Sequence, residues 1–132
     1  MRGQAGAAGD TGRVNVSGKL QIKPGQRVAV IAEPAGSPVA LPAGCELVAD
    51  PAEADAVIAF VERSTDAAAA AGPALAAGRQ DRLAWVAYPK AGQRGTDLNR
   101  DTLAAALSGH GVRPVRQVAI DDVWSALRFR PA

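Results

Sequence analysis

Short apolar runs rich in β-branched residues alternate with helix-forming segments along this chain, and this alternation restricts the fold more than any other feature. Residues 27–32, 54–61 and 82–88 are almost continuously apolar, as expected for strands buried on both faces of a sheet. An alanine-rich segment separates the second run from the third, and another helical segment precedes a strand at residues 112–120. Strands that alternate with helices predict an α/β fold with parallel pairing and right-handed crossovers.

The end of the chain departs from this alternation. Residues 124–129 form the last predicted strand, and only a few residues join it to the strand before it. A parallel connection needs a dozen or more residues, so we expect the last strand to be antiparallel. With a short strand at residues 46–48, the pattern predicts an open, mostly parallel Rossmann-like sheet of about five or six strands. Helices should lie on the faces of this sheet.

The alanine-rich helix has three predicted boundary features. Ser64 is suited to cap its start, because a serine hydroxyl accepts a hydrogen bond from a free backbone N–H. Gly72-Pro73 should break the helix in two, and Gly78 should end it.

The second helix has a clearer start. Asn99 is a good N-cap, and Leu98 and Leu103 are spaced to pack against each other across it. Gly109 or Gly111 should end this helix. Simple alternation in the strand that follows places four residues on one face: Val112, Pro114, Arg116 and Val118.

Length and composition indicate one domain. The chain has 132 residues, of which 48% are apolar, enough for one core without disulfides. Residues 1–18 contain five glycines and lack the apolar core of a signal peptide. We therefore expect a flexible arm at residues 1–18 and a single α/β domain at residues 19–132.

Charge and cysteine content exclude several classes of partner. The formal net charge is +2, and residues 33–66 carry seven acidic residues and one basic residue. The chain has no dense basic run with interleaved aromatic residues, so we expect no nucleic-acid partner. No apolar run approaches the roughly 18 residues of a membrane span, so we expect no membrane association. Cys45 is the only cysteine, which fits a reducing, cytoplasmic location.

The residue types for several kinds of chemistry are absent. His110 is the only histidine and Cys45 the only cysteine, so the chain offers neither a Ser-His-Asp set nor a metal cluster. We therefore expect no catalytic residues, no metal and no cofactor.

The candidate site lies where the parallel strands end. Ligands of open α/β sheets bind outside the carboxyl ends of the strands, and several polar segments follow the predicted strands there. The helix that begins after Asn99 also opens at this edge, and its free amides with Lys90 nearby could hold a carboxylate or phosphate. The candidate binding residues are Tyr88, Lys90, Thr96, Asp97, Asn99, Arg100, Asp101, Asp121, Asp122, Trp124 and Arg128.

Each candidate also has a structural interpretation, which we favour for most of them. Lys90 either binds an anion or pairs with Asp97 or Asp121 to hold the loops. Asp121 and Asp122 either form an acid/base pair or accept hydrogen bonds from backbone amides in a tight turn. Thr96-Asp97 is first a device for entering a helix.

The last strand presents the same choice. Trp124 either stacks on a planar ligand or packs in the core. Arg128 either belongs to the site or is a buried guanidinium that clamps Asp97 or Asp101.

Four motifs carry a resemblance to known proteins. They are Leu-x-Ile-Lys-Pro-Gly at residues 20–25, Tyr-Pro-Lys at 88–90, Thr-Asp-x-Asn-Arg-Asp at 96–101 and Asp-Asp-x-Trp-Ser-Ala-Leu-Arg-Phe at 121–129. In these motifs, residues 19–131 resemble a family of small bacterial proteins classed as a domain of unknown function. The resemblance implies an α/β fold and a shared site, without an activity. Residues 91–95 depart from the lysine- and serine-rich loop usual in that family.

A more distant similarity is to the second half of a class I S-adenosylmethionine-dependent methyltransferase, whose sheet also ends in an antiparallel strand. Those enzymes have a glycine-rich loop after the first strand, where residues 32–38 here contain one glycine and two prolines.

Three functions remain open at this point. The first is a non-enzymatic module that binds a small ligand, with anions among the candidates, or a protein partner at the carboxyl edge. The second is a minimal nucleotide- or S-adenosyl-dependent transferase, which rests on topology alone. The third is a structural or regulatory subunit that forms a homodimer through an edge strand or the final hairpin.

Overall fold

The computed structural model describes residues 19–36 and 38–132, so the predicted arm at residues 1–18 lies outside the described residues. Six strands and two α-helices follow one another along the described chain. The strands are β1 (Arg27–Ile31), β2 (Glu46–Leu47), β3 (Ala56–Phe60), β4 (Leu83–Pro89), β5 (Val112–Ala119) and β6 (Trp124–Pro131). The helices are α1 (Ala67–Arg79), between β3 and β4, and α2 (Arg100–Leu107), between β4 and β5.

The strands form one mixed sheet in the order β2-β1-β3-β4-β6-β5. The pairs β1–β2, β1–β3 and β3–β4 are parallel, whereas β6 is antiparallel to both of its neighbours. The predicted α/β fold with an antiparallel last strand is therefore confirmed. The sequence pattern did not predict that β6 lies between β4 and β5. In the observed order, β5 is the edge strand of the sheet.

Both helices lie on one face of the sheet. A hydrophobic cluster joins residues of α1 and α2 to sheet residues such as Val86 and Leu127. The opposite face is covered by irregular segments, including Leu20 and Ile22, which pack on the side of the sheet that carries Trp85. The Trp85 Nε1–H donates to the Leu20 carbonyl at 2.8 Å and ties this segment to the sheet.

The predicted boundaries of α1 were wrong in three details. Ser64 begins a 3₁₀ turn and does not cap the helix, which starts at Ala67. The helix continues through Pro73 without a break. Gly72 lacks the Cβ atom that would crowd the proline ring, which removes part of the penalty for a helical residue before proline.

Gly78 lies inside α1, which ends at Arg79. A Cβ atom at Gly78 would meet Val112 Cγ1 at 3.2 Å and the Phe129 carbonyl at 3.4 Å. This glycine therefore permits a close approach of helix and sheet, which a sequence pattern cannot distinguish from a helix end.

The start of α2 was predicted correctly. The Asn99 side chain accepts from the Thr102 N–H at 2.9 Å, and the Thr102 hydroxyl accepts from the Asn99 N–H at 2.7 Å. This reciprocal pair is a capping box. Leu98 and Leu103 are both buried.

The predicted alternation in β5 was wrong beyond Pro114. A bulge lies between Pro114 and Arg116, so that Pro114 is opposite Phe129 and Arg116 is opposite Arg128. One extra residue moves every later side chain to the other face. Arg116 therefore shares a face with Arg113 and not with Pro114.

No helix in the described ranges is long and apolar enough to cross a membrane.

Candidate binding site at the carboxyl edge of the sheet

The carboxyl ends of β1, β3 and β4 meet at one edge of the sheet, as predicted, because these strands are parallel neighbours. The antiparallel β6 begins at this edge, where Trp124 is the cross-strand partner of Pro89. The Lys90 N–H donates to the Val123 carbonyl at 2.7 Å, which joins the end of β4 to the β5–β6 turn. The structure thus brings together the Tyr-Pro-Lys segment and the start of the last strand.

The segment between β4 and α2 folds back over the end of β3, and Arg94 anchors it. The Arg94 guanidinium donates to both oxygens of Glu62, at 3.1 and 3.2 Å. It also lies over the Trp124 ring, 5.2 Å from the ring centroid. The ion pair raises the pKa of Arg94 above its usual value, which keeps the guanidinium charged. Arg94 has a φ of +53°, and these two contacts hold it in that unfavourable conformation.

Thr96 and Asp97 attach the same segment to the residues after β3. The Thr96 hydroxyl donates to the Glu62 carbonyl and accepts from the Leu98 N–H at 3.0 Å. The Asp97 carboxylate accepts from the hydroxyl and from the backbone N–H of Ser64. The Ser64 hydroxyl, followed by its N–H, lowers the pKa of Asp97, because both bonds favour the ionised carboxylate. These two candidates are therefore engaged in holding the loop.

The residues at the start of α2 are divided between capping and exposure. Asn99 is used entirely in the capping box. Arg100 and Asp101 form an exposed ion pair at 3.4 Å, in which the Asp101 side chain remains 90% exposed. An exposed pair of this kind contributes little to stability. Both side chains are accessible to solutes because both are exposed.

Asp121 and Trp124 take structural positions in the β5–β6 turn. One Asp121 carboxylate oxygen accepts from the Val123 N–H at 2.8 Å and from the Trp124 N–H at 2.7 Å. Trp124 is buried and contacts Phe60 edge to face, with ring centroids 5.1 Å apart. With Arg94 over its ring, Trp124 has no free face on which a planar ligand could stack.

Tyr88 is buried on the helix-bearing side of the sheet, where only 2% of its surface is exposed. Its hydroxyl accepts a hydrogen bond from Gln117 Nε2 at 2.7 Å. Burial raises the pKa of Tyr88, and the Gln117 hydrogen bond opposes this shift. Tyr88 therefore packs in the core beneath the helices, next to the carboxyl edge, and does not present its hydroxyl to solvent.

The side chains of Lys90 and Asp122 take no such structural role. Neither side chain has a hydrogen bond or an ion pair within the described part of the chain. Lys90 is partly buried at the end of β4, and the expected pairs with Asp97 or Asp121 are not formed among these residues. Asp122 is exposed in the β5–β6 turn. The carbonyl of the next residue, Val123, accepts the hydrogen bond from the Lys90 N–H.

Arg128 does not belong to this edge. It lies opposite Trp85, near the start of β4, and its guanidinium donates to Gln21 Oε1 at 2.7 Å. The predicted clamp on Asp97 or Asp101 was wrong, because β6 runs away from the carboxyl edge and carries Arg128 towards the other end of the sheet.

Sequence reasoning missed the importance of Arg94, Ser64 and Arg63. The Arg63 guanidinium donates to the Gly95 carbonyl, next to the Arg94 anchor on Glu62. These contacts join residues about thirty positions apart, so no local spacing signals them. A basic residue between glycines in a short loop was the one available indication.

Within residues 19–36 and 38–132, no group of three or more histidine, cysteine or acidic side chains is arranged to hold a metal ion. Comparisons of the chain with protein-family models, with curated proteins and with solved structures gave no match.

Proposed function

We propose that this protein is a non-enzymatic α/β module that binds a small anionic ligand at the carboxyl edge of its sheet. The observation that supports the proposal most directly is Lys90. Lys90 is a partly buried residue whose ammonium has no partner in the described chain, and it lies at the edge where ligands of open α/β sheets bind. A carboxylate or phosphate would supply the missing charge.

The surroundings of Lys90 favour binding over turnover. The loop after it is held in place by Arg94 on Glu62 and by Asp97 on Ser64, which gives a largely preformed rim. A preformed rim lowers the ordering cost of binding. Among the candidates with acid or base chemistry, Asp97 and Asp121 are occupied by hydrogen bonds to the protein itself, which leaves Asp122 without the second free carboxylate of an acid/base pair.

The two alternatives have less support. A transferase would need a cradle for its donor after β1, where the chain turns through Ala32 into a segment with two prolines. A dimer through an edge strand is opposed by the edges themselves, since β2 has two residues and β5 carries Pro114 and a bulge. Prolines, charges and bulges on edge strands prevent pairing with another sheet.

The resemblance to the small bacterial family remains part of the proposal, as does a cytoplasmic location. Two of its motifs, Tyr-Pro-Lys and Asp-Asp-x-Trp, adjoin each other at this edge through the Lys90–Val123 hydrogen bond. Such a juxtaposition is what a shared site would require.

The proposal is tested by the melting temperature of the full chain against a panel of phosphates, nucleotides, S-adenosyl compounds and small carboxylates. A ligand at a hundred times its dissociation constant adds about 2.7 kcal/mol, which shifts the midpoint of a domain this size by roughly 10 °C or more. Lys90→Ala should abolish the shift, whereas Lys23→Ala should retain it. Lys23→Ala is the control because it removes the same charge at an exposed position. Lys23 precedes β1 and therefore lies at the amino ends of the parallel strands, opposite the carboxyl edge.

A panel without any shift would contradict the anionic-ligand proposal and favour a protein partner. A shift that survives Lys90→Ala would place the ligand elsewhere on the molecule.

A further inference from the structure

Four arginines lie together on the β5–β6 hairpin, away from the carboxyl edge. The bulge at Val115 places Arg113 and Arg116 on the same face of β5. Arg113 is directly opposite Arg130 of β6, and Arg116 is directly opposite Arg128. We call these four residues the arginine array. They lie on the face of the sheet that carries neither α1 nor α2.

The charge of the array is neutralised at one position in the described structure. Arg130 pairs with both oxygens of Asp81, at 2.9 and 3.1 Å. Arg128 donates to the uncharged Gln21, and its buried Nε has no acceptor among the described residues. The two arginines of β5 are exposed, and no carboxylate of residues 19–36 or 38–132 pairs with them.

This arrangement is unfavourable in the isolated protein. Like charges directly opposite each other on neighbouring strands are destabilising, and in the Arg116–Arg128 pair no carboxylate of the described residues neutralises either charge. A buried donor without an acceptor adds a further cost at Arg128. An anion seated on the exposed guanidiniums would relieve the repulsion between these charges, so the array is suited to an anionic partner.

The spacing of the array indicates the shape of that partner. Residues two apart on one strand lie about 6.8 Å from each other on the same face, as Arg128 and Arg130 do. An extended peptide has the same repeat, so its alternate side chains can meet successive arginines. The planar guanidinium matches a carboxylate with two parallel hydrogen bonds.

Nucleic acid fits less well. All five aromatic residues of the chain are buried, so none is available to stack on the bases of a single strand. Four cations are also fewer than the roughly 6–10 phosphate contacts typical of a DNA-binding protein.

We propose that the arginine array binds an extended acidic segment of a partner protein in which acidic and neutral residues alternate. The array lies on a different part of the sheet from the site around Lys90, and the two proposals are independent.

The test uses the full chain and two fluorescein-labelled peptides of identical composition, one alternating (Glu-Thr repeated four times) and one with four Glu followed by four Thr. Anisotropy titrations at about 0.02 M and about 0.15 M salt report affinity and its electrostatic component. We expect tighter binding of the alternating peptide. The double variant R113Q/R116Q should weaken that binding at least tenfold, whereas K23Q/R27Q, which removes the same formal charge from the turn before β1 and from its first residue, should change it less than twofold.

The double variant should keep or raise the melting temperature, because it removes the like-charged pairs, so lost binding cannot be attributed to unfolding. Equal affinity for R113Q/R116Q and the parent chain would overturn the proposal, as would equal affinity for the two peptides. Tighter binding of a single-stranded RNA or a DNA duplex than of the alternating peptide would show that the array is a nucleic-acid surface instead.

Discussion

Tyr88 offers a direct test of how the candidate edge is built, because it is the only tyrosine in the chain. Its phenol is buried, and we expect its pKa in the folded protein to lie above the usual value of about 10. Ionised tyrosine absorbs near 295 nm, so a spectrophotometric titration of the folded protein reports Tyr88 alone. The same titration in denaturant supplies the reference value.

The neighbouring Gln117 provides a second, independent sign. Its amide donates to the Tyr88 oxygen and thereby favours the phenolate, so Gln117→Ala should raise the pKa of Tyr88 further. A site in which Tyr88 were exposed to solvent and to ligands would show the opposite behaviour, with an ordinary pKa that is insensitive to Gln117.

The raised pKa has a consequence for stability. A phenol whose pKa is higher in the folded than in the unfolded chain contributes stability that is fully present below about pH 10. This stability is lost as the pH rises towards the folded-state pKa. Within that interval the free energy of unfolding should fall by up to about 1.4 kcal/mol per pH unit, the limit set by one proton.

Tyr88→Phe isolates this contribution, since all other titrating groups are shared with the parent chain. Below pH 9 the variant should be less stable by about 0.5–1.5 kcal/mol, the usual contribution of one hydrogen bond. The difference should shrink above pH 10. Urea unfolding at a series of pH values measures both. Ionisation of Tyr88 near pH 10 while circular dichroism still shows a folded chain would refute the reasoning.

Three further predictions concern the loop, the helix–sheet contact and the second face. Asp97→Asn should lower the melting temperature at pH 7, and the difference from the parent chain should shrink as the pH falls below about 4, because the lowered pKa of Asp97 gives stability that is lost on protonation; an unchanged difference at pH 3 would contradict it. Gly78→Ala should destabilise the chain by about 1 kcal/mol, although alanine has the better helix propensity, and should become neutral or stabilising in a Val112→Ala background, where the 3.2 Å contact is absent. A double-mutant cycle by urea unfolding measures the coupling between the two positions, and additive effects would reject the clash. Trp85→Phe should lower the free energy of unfolding by about 2–4 kcal/mol, since it leaves a void and deprives the Leu20 carbonyl of its donor. A loss below about 1 kcal/mol would show that the segment around Leu20 is not tied to the sheet.

Much of the fold could be predicted from local pattern. The apolar runs at β1, β3 and β4 and the capping box at Asn99 involve neighbouring residues, whose chemistry alone favours strand or helix. The rule that parallel strands end at one edge then placed Lys90 and Trp124 correctly near each other.

The remaining features depend on contacts between distant residues. The Glu62–Arg94 pair and the Ser64–Asp97 bonds join segments about thirty residues apart, and they occupy side chains that a pattern shows only as polar. Arg128 was assigned to the wrong end of the sheet, because its place depends on the direction and the register of β6 against β4.

The sequence by itself determined the α/β class, the position of most elements and the edge where polar residues gather, because these follow from periodicity and capping within short windows. Only the tertiary structure decided that β6 lies between β4 and β5, that both helices share one face, and that a bulge places Arg113 and Arg116 together. Each of these is a choice between arrangements that the same local pattern permits. Long-range pairing and packing make that choice, since one inserted residue is enough to exchange the two faces of a strand.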